Sequence, residues 1–246
     1  MSYSSVELVR RYKISPTRVI HVGAWEGLDV PEYKELQISK IILVEAMPDK
    51  ARALRIRFSD DHQVQIIEAA ASNISNATVS FYPLEYGSSS LLKPKIESLK
   101  QVFADFAEIE PISVKTIKID EINSNEIDRT MLIIDVQGAE LQVLQGSTET
   151  LKKTVLIKIE VSTVAYYEGQ SNQRDILRFL KDYGFVCVSQ RISKKMGQGD
   201  AIFIQNGNAP IMSIIIGRLM DLRWKLSIQG INLHVFGKKL RSIRKN

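Results

Sequence analysis

The chain has 246 residues, 44% hydrophobic and 25% charged, and this composition excludes a disordered, collagen-like or low-complexity protein. Its one cysteine, Cys187, excludes a disulfide framework and a zinc site built from cysteines. The net charge of +5 is uneven: residues 209–246 hold eight Lys or Arg and one acid, whereas residues 1–208 hold 25 basic and 27 acidic residues. We therefore expect one domain over 1–208 and a basic extension over 209–246.

The N-terminal residues carry charges where a secretory signal needs an apolar stretch. No run in the sequence approaches the roughly 20 apolar residues of a membrane span. These two features predict a cytoplasmic protein.

Strands and helices alternate along the first 208 residues. In chain order, the pattern predicts a strand at 19–22, a helix at 31–37, a strand at 40–45, a helix at 48–58 and a strand at 64–70. It continues with extra strands at 77–83 and 113–119, a strand at 131–136, a helix at 139–146, a strand at 155–161, a helix at 172–183, and a closing hairpin of 185–188 and 201–204. Such alternation predicts an α/β fold with a mostly parallel sheet and helices on both faces.

The ends of the first two strands carry a glycine turn and an acid. Gly23 and Gly27 follow the first strand, and glycines there let a backbone turn approach a ligand closely, although a simple tight turn has the same pattern. Glu45 ends the second strand, where a carboxylate can accept hydrogen bonds from both hydroxyls of a ribose or can be an exposed strand-end acid. The combination favours a nucleoside-containing cofactor, and the glycine spacing disfavours a nicotinamide dehydrogenase.

Two further acids follow apolar strands. Asp135 ends the strand at 131–136, where it can be partly desolvated and accept a proton or orient a cation, or can cap the next helix. Glu160 lies near the end of the strand at 155–161, and Tyr166 and Tyr167 follow it in a segment that lines a polar cleft or forms a solvated loop. The three histidines are far apart and two acids are weak evidence for a cation, so no metal site is predicted.

Four segments in order resemble the FkbM-type S-adenosylmethionine-dependent methyltransferases. They are VIHVGA at 19–24, VEAMP at 44–48, GSSSLL at 87–92 and IIDVQGAELQVLQG at 133–146, and the last is the most specific. The resemblance covers about residues 17–205. It implies a Rossmann-like class I methyltransferase fold with seven strands, the seventh antiparallel, and methylation of hydroxyls, often on sugars, polysaccharides or glycosylated and macrolide products.

The resemblance also implies a set of site residues. Gly23 and Ala24 would surround the methionine part of S-adenosylmethionine, and Glu45 would bind its ribose. The remaining implied residues are Ala46 and Met47 beside the adenosine, and Ser88, Ser89, Ser90 and Asp135 at the border of the transfer site.

His21 departs from the family pattern, because many members have Asp there to orient the cofactor through its amino group. A neutral His can still hydrogen-bond, whereas a protonated His would repel the sulfonium. The sequence leaves open whether His21 contacts the cofactor or has a buried structural role.

The function expected from the resemblance is O-methylation of a glycan or other hydroxylated acceptor. A sugar hydroxyl is a poor nucleophile and benefits from a general base, for which Asp135 is the first candidate, Glu160 the second and His21 the third. Asp135 can equally be a cofactor-binding residue that contacts the amino group of S-adenosylmethionine. The alternative is a catalytically degenerate partner subunit that binds cofactor or glycan, and the departure at His21 is the feature that favours it.

The basic extension contains apolar residues at helical spacing. They are Ile211, Ile215, Leu219, Leu222 and Leu226. An amphipathic helix of this kind packs on the domain or on another protomer, or associates peripherally with anionic lipid at the inner membrane surface. A nucleic-acid partner is not predicted, because aromatic residues are not interleaved through the basic residues.

Overall fold

The computed structural model describes residues 3–84, 87–100, 110–123, 128–193, 195–208, 210–212, 215 and 219. The strands are β1 (Arg18–Val22), β2 (Lys40–Glu45), β3 (Val64–Glu68), β4 (Ala70–Ala71), β5 (Thr78–Phe81), β6 (Ile112–Ile117), β7 (Thr130–Ile134), β8 (Thr154–Ser162), β9 (Phe185–Ile192) and β10 (Gln198–Gln205). The helices are α1 (Ser5–Tyr12), α2 (Val30–Glu35), α3 (Pro48–Arg57), α4 (Ile96–Lys100), α5 (Glu140–Gln145), α6 (Thr148–Lys152) and α7 (Gln173–Asp182), with short 3₁₀ turns at Ile119–Glu121 and Asn206–Asn208.

Seven strands form the main sheet, in the order β3-β2-β1-β7-β8-β10-β9. β1 pairs in parallel with both β2 and β7, and β10 runs antiparallel between β8 and β9. The chain therefore builds outward from β1 to β3 and then returns to place β7 on the other side of β1. Ligands bind at such a reversal of strand order, so the fold puts the site at the carboxyl ends of β1, β2 and β7. The predicted fold class is confirmed, and the predicted antiparallel seventh strand is β10, the seventh strand of the main sheet in chain order.

The central strands are apolar on both faces. Ile20 and Val22 pack into the core on one side of the sheet, whereas Val19 packs into the core on the other side. Successive side chains of a strand point to opposite faces, so a strand covered on both sides must be a continuous apolar run. This requirement explains why β1, β2 and β7 are recognisable in the sequence.

Several details differ from the predicted elements, among them helix α4 (Ile96–Lys100), which was not predicted. Helix α1 was not predicted, although Ser4 caps it by accepting a hydrogen bond from the Glu7 N–H and Leu8 is fully buried. Its apolar residues follow helical spacing, which the charges between them obscure. Helix α6 was also not predicted, and the predicted strand 64–70 is divided between β3 in the main sheet and β4 in a small sheet with β6 and β5. β9 and β10 each extend beyond the predicted hairpin strands.

Most of the basic extension, including Leu222 and Leu226, lies outside the described residues. Among the residues that the structure does describe, no helix is long and apolar enough to cross a membrane.

Candidate active site

A cleft of about 420 Å³ lies over the carboxyl ends of β1, β2 and β7. Its volume is within the range of small-molecule and cofactor sites. Most of the residues implied by the family resemblance line this cleft, namely Gly23, Glu45, Ala46, Met47, Ser89 and Asp135. The structure thus brings together, at the switch point of the sheet, segments that are more than 100 residues apart in the chain.

The turn after β1 requires glycine at position 23. Gly23 has φ of +79°, and a Cβ added there would lie 1.8 Å from the backbone oxygen of Asp135. Its N–H donates to the Val44 carbonyl over 2.9 Å, so the turn is packed between the ends of β2 and β7. Ala24 also donates to Val44, but its side chain is buried and is not part of the cleft lining.

Glu45 is held at the end of β2 by two backbone donors. One carboxylate oxygen accepts from the Trp25 N–H over 2.7 Å, and the other accepts from the Met47 N–H over 2.9 Å. Burial raises the pKa of Glu45, and these hydrogen bonds act in the opposite direction. An ionised carboxylate has about four lone-pair positions, so two remain for hydroxyl donors from the cleft. Trp25, whose N–H aligns Glu45, has φ of +48° and lines the cleft beside it.

His21 lies on the other side of β1 from the cleft. Its Nδ1 is 2.9 Å from the Tyr33 hydroxyl and 4.0 Å from an Asp29 carboxylate oxygen. Burial lowers the pKa of His21 to about 4, against a smaller opposing effect of Asp29, so the ring is neutral at pH 7. This geometry favours the buried structural alternative, and a cofactor contact by His21 stays a prediction.

Asp135 and Glu160 are neighbours at the ends of β7 and β8, and of the two only Asp135 is among the residues that line the cleft. The Gln137 Nε2 donates to Asp135 Oδ1 over 2.6 Å and to Glu160 Oε2 over 2.8 Å, so one amide bridges both carboxyl groups. Asp135 is open to the cleft, yet the protein around it excludes enough solvent to raise its pKa. Burial raises the pKa of Glu160 well above its usual range, and the charge of Asp135 adds to that effect. Of the two groups, Glu160 more readily keeps its proton.

Gln137 was not singled out in the sequence, although it is the centre of the hydrogen bonds on this side of the cleft. It has φ of +55°, and its backbone oxygen accepts from the Ser90 hydroxyl over 2.7 Å. The Tyr167 hydroxyl donates to the Ser88 carbonyl over 2.7 Å and lies 3.5 Å from Gln137 Oε1. An amide residue between a strand-end acid and a glycine was the only signal for it. The tyrosines after Glu160 are buried, so the solvated-loop alternative does not hold for Tyr167.

Two other predicted roles can be compared with the geometry. Asp135 does not cap helix α5, whose first residue follows Ala139 without a side-chain cap. Glu140 instead accepts from the Gly138 N–H over 2.9 Å, and burial raises its pKa to about 7. The Ser89 hydroxyl hydrogen-bonds to both the N–H and the carbonyl of Leu84, each over 2.9 Å. These bonds order residues 88–90, the serine segment, beside the cleft. Within the described residues, no cluster of three or more His, Cys, Asp or Glu is placed to hold a metal ion.

In a comparison with known proteins, one family matches well over half of the chain. The family described as the methyltransferase FkbM domain matches residues 21–187. The chain is also similar to the 2-O-methyltransferase NoeI of Sinorhizobium fredii (strain NBRC 101917 / NGR234), with 29% identity over 186 residues, or 70% of this chain and 74% of that protein.

Solved methyltransferase structures are among the similar folds. The magnesium protoporphyrin IX methyltransferase ChlM of Synechocystis PCC 6803, with bound SAH, has a TM-score of 0.47 and 9% identity, over 82% of this chain and 80% of that chain. The N-methyltransferase NodS of Bradyrhizobium japonicum WM9 has a TM-score of 0.46 and 8% identity, over 80% of this chain and 89% of that chain.

Proposed function

Because this chain belongs to the FkbM methyltransferase family, we propose that it transfers a methyl group from S-adenosylmethionine to a hydroxyl of a sugar, polysaccharide or glycosylated product. The observation that carries the proposal is the meeting of the Gly23 turn, Glu45 and Asp135 at one cleft. A cofactor site and a candidate base thus share one cavity, as a transfer between two bound molecules requires.

The cofactor half of the cleft fits S-adenosylmethionine. Glu45 has two unused acceptor positions for the ribose hydroxyls, Ala46 and Met47 line the wall beside it, and the Gly23 turn would border the methionine part. The cofactor, when bound, supplies a methyl group activated by a sulfonium. Glu45 lines the cavity although most of its surface is buried.

The acceptor half would supply alignment and a base. Asp135 is open to the cleft and accepts the proton of the acceptor hydroxyl while that oxygen forms its bond to the methyl carbon and the carbon–sulfur bond breaks. Its raised pKa suits that role, because a base is most effective when its pKa approaches the working pH. Glu160 is the second candidate, because its more strongly raised pKa leaves less of it ionised and available to accept a proton.

O-methylation is supported by the similarity to NoeI, which is a 2-O-methyltransferase. A glycan as the acceptor rests on the family resemblance of the four sequence segments. The competing function is a degenerate partner subunit that binds cofactor or glycan without turnover.

Calorimetric titration with S-adenosylmethionine and S-adenosylhomocysteine tests the cofactor site first. Wild type is expected to bind both, and Glu45→Gln to bind about tenfold more weakly, because a charge-assisted hydrogen-bond acceptor is lost. Glu68→Gln is the matched control, since Glu68 is the register partner of Glu45 on β3 but pairs with Arg55 outside the cleft. Absence of binding by well-folded wild type would overturn the cofactor assignment.

Transfer of a labelled methyl group to a panel of oligosaccharides tests the reaction. Retention of the label after mild alkali excludes a methyl ester, and label then located on oxygen by mass spectrometry supports O-methylation of a hydroxyl. Label recovered on nitrogen or as an alkali-labile ester would overturn the proposed acceptor. Cofactor binding with no transfer to any hydroxylated acceptor would favour the degenerate partner.

We separately propose that the start of the basic extension docks on an anionic lipid surface. Ile211, Met212, Ile215 and Leu219 are helical and 46–78% exposed, which argues against an apolar face packed on the domain. Residues 209–246 carry eight cations and one acid, a balance that repels a second copy of the same segment and attracts anionic headgroups.

Co-sedimentation with vesicles tests this surface. The full chain is expected to bind vesicles containing phosphatidylglycerol and not vesicles of phosphatidylcholine alone, and Ile215→Asp with Leu219→Asp should abolish the binding. Ile74→Asp, at an exposed apolar residue of the body, is the control. No lipid binding, or a dimer in light scattering that the double variant dissociates, would overturn the lipid assignment.

A further inference from the structure

One amide side chain lies between the two acids of the acceptor half. Gln137 Nε2 carries two hydrogens, and the structure directs this nitrogen to Asp135 Oδ1 at 2.6 Å and to Glu160 Oε2 at 2.8 Å. Both donor positions of the amide are therefore used on carboxyl groups. Its own oxygen faces the Tyr167 hydroxyl at 3.5 Å.

The backbone of Gln137 is held in an uncommon conformation. A non-glycine residue with φ of +55° persists only where its surroundings stabilise it. Here the Ser90 hydroxyl donates to the Gln137 carbonyl, and the Tyr167 ring packs 3.0 Å from a Cβ position built on Gly138. The side chain thus points back at the strand ends because the serine segment and the tyrosine segment fix the turn.

We propose that Gln137 is a positioning residue of the acceptor site: its amide fixes the orientation of the Asp135 carboxylate and bridges it to Glu160, so that the ionisation of one acid depends on that of the other. The inference rests on the proposed function for its role in turnover. It goes beyond that proposal because it names the group that orients the candidate base. Asp135 Oδ1 is engaged by the amide, so Oδ2 is the oxygen presented to an acceptor hydroxyl.

The charges around the pair make this positioning consequential. The groups that face it from other elements are Asp200 on β10, Glu140 on α5, Lys158 on β8 and Asp29 before α2. Burial disfavours the ionised form of both carboxyls, and because most of these neighbours are acids, their charges add to that effect. The Gln137 hydrogen bonds favour the ionised form. Removing the amide should therefore raise the pKa of each acid further and leave less ionised Asp135 at neutral pH.

Gln137→Met is the informative variant, because methionine has a similar length, no amide and no β-branch that would worsen the left-handed backbone. Gln145→Met, on the exposed side of α5, is the matched control. Thermal unfolding is measured from pH 5 to pH 9. A carboxyl whose pKa is raised in the fold contributes stability that is lost as pH rises from its unfolded pKa through its folded pKa. Gln137→Met should extend that loss to higher pH than wild type.

A role in folding alone predicts a different result. It would lower the melting temperature of Gln137→Met by the same amount at every pH, and that outcome would overturn the inference. Adding Asp135→Asn and Glu160→Gln to both backgrounds should abolish the pH-dependent difference between them. This arm needs neither cofactor nor acceptor, so it tests the coupling even if the proposed methyl transfer fails.

Turnover supplies the second readout once an acceptor has been identified. The acid limb of the kcat profile should move to higher pH in Gln137→Met, with about a tenfold loss at pH 7 that recovers as pH rises, and KM for S-adenosylmethionine should be unchanged. A pH-independent loss, or a loss confined to KM, would overturn the positioning role.

Discussion

The two halves of the cleft are built by different means. In the cofactor half, the functional groups follow directly on β1 and β2, and the backbone N–H groups of Trp25 and Met47 orient Glu45. In the acceptor half, the Gln137 side chain donates hydrogen bonds to both Asp135 and Glu160. The Ser90 hydroxyl donates to the backbone carbonyl of Gln137. Backbone donors therefore orient the acid of the cofactor half, whereas side-chain hydrogen bonds orient the acids of the acceptor half.

This difference suits the separate tasks of the two halves, which are binding of the cofactor and recognition of the acceptor. A turn and an acid at two strand ends suit one common cofactor, and such a site tolerates little change. Long-range hydrogen bonds among loops can be rearranged while the sheet stays the same, so the acceptor half is where specificity can vary. Variants that act on one half only should therefore separate cofactor binding from turnover.

The largest separation is expected for Asp135→Asn. If Asp135 is the base, kcat falls roughly 10²- to 10⁴-fold, the usual contribution of general-base catalysis. S-adenosylhomocysteine binding, measured by calorimetry, should change little, because the amide keeps the shape of the side chain. Wild-type turnover by this variant would exclude Asp135 as the base, and a loss confined to cofactor affinity would move Asp135 into the cofactor half.

Gly23→Ala should disturb both halves, because Gly23 lies where they meet. The new Cβ would lie 1.8 Å from the Asp135 carbonyl oxygen at a φ of +79°, so we expect a loss of roughly 3 kcal/mol in unfolding free energy, measured with urea. Gly184→Ala is the control, since φ there is +81° and its Cβ would contact nothing within 4 Å. We expect about 1–2 kcal/mol for the control. Equal losses would mean that the turn accommodates the clash.

The contrast also explains how much the sequence could predict. β1, β2 and β7 are covered on both faces, so their apolar runs are visible, and Gly23, Glu45 and Asp135 follow from their positions at the ends of those runs. Gln137 could not be predicted in the same way, because its role depends on Glu160 and Ser90 coming within hydrogen-bond distance. Those contacts depend on strand order and loop packing, which no local pattern encodes.

The surroundings of His21 also could not be predicted from a local sequence pattern. The family resemblance places His21 where many members have an Asp that orients the cofactor, and in this structure its Nδ1 lies 2.9 Å from the hydroxyl of Tyr33 on α2. Successive side chains of a strand point to opposite faces of the sheet, so a shift of one residue moves a side chain to the other face.

Acid should destabilise the protein through His21. The folded pKa of about 4 is below the usual value of 6.5, so the unfolded chain takes up the proton first, and stability present above pH 6.5 is lost as pH falls towards 4. His21→Asn keeps an acceptor for the Tyr33 hydroxyl without titrating, and should lose roughly 2 kcal/mol less than wild type between pH 7.5 and pH 5 in urea unfolding. His62→Asn, at an exposed position, should leave the wild-type pH dependence unchanged. An unchanged slope in His21→Asn would show that the ring is solvated in solution.

Glu160→Gln should produce the smallest effect, and a gain. Burial and the charge of Asp135 raise the pKa of Glu160 well above its usual range, so the fold loses stability as pH rises through that pKa, and an uncharged amide removes this loss. We expect a gain of about 1 kcal/mol at pH 8, or roughly 2–4 °C in Tm, with little change at pH 5. Glu168→Gln, exposed on the loop after β8, should gain nothing. A stabilised variant with reduced turnover would show that the acceptor half holds an unfavourable carboxyl for function. A destabilised one would show that Glu160 strengthens the loop packing that distinguishes this half from the other.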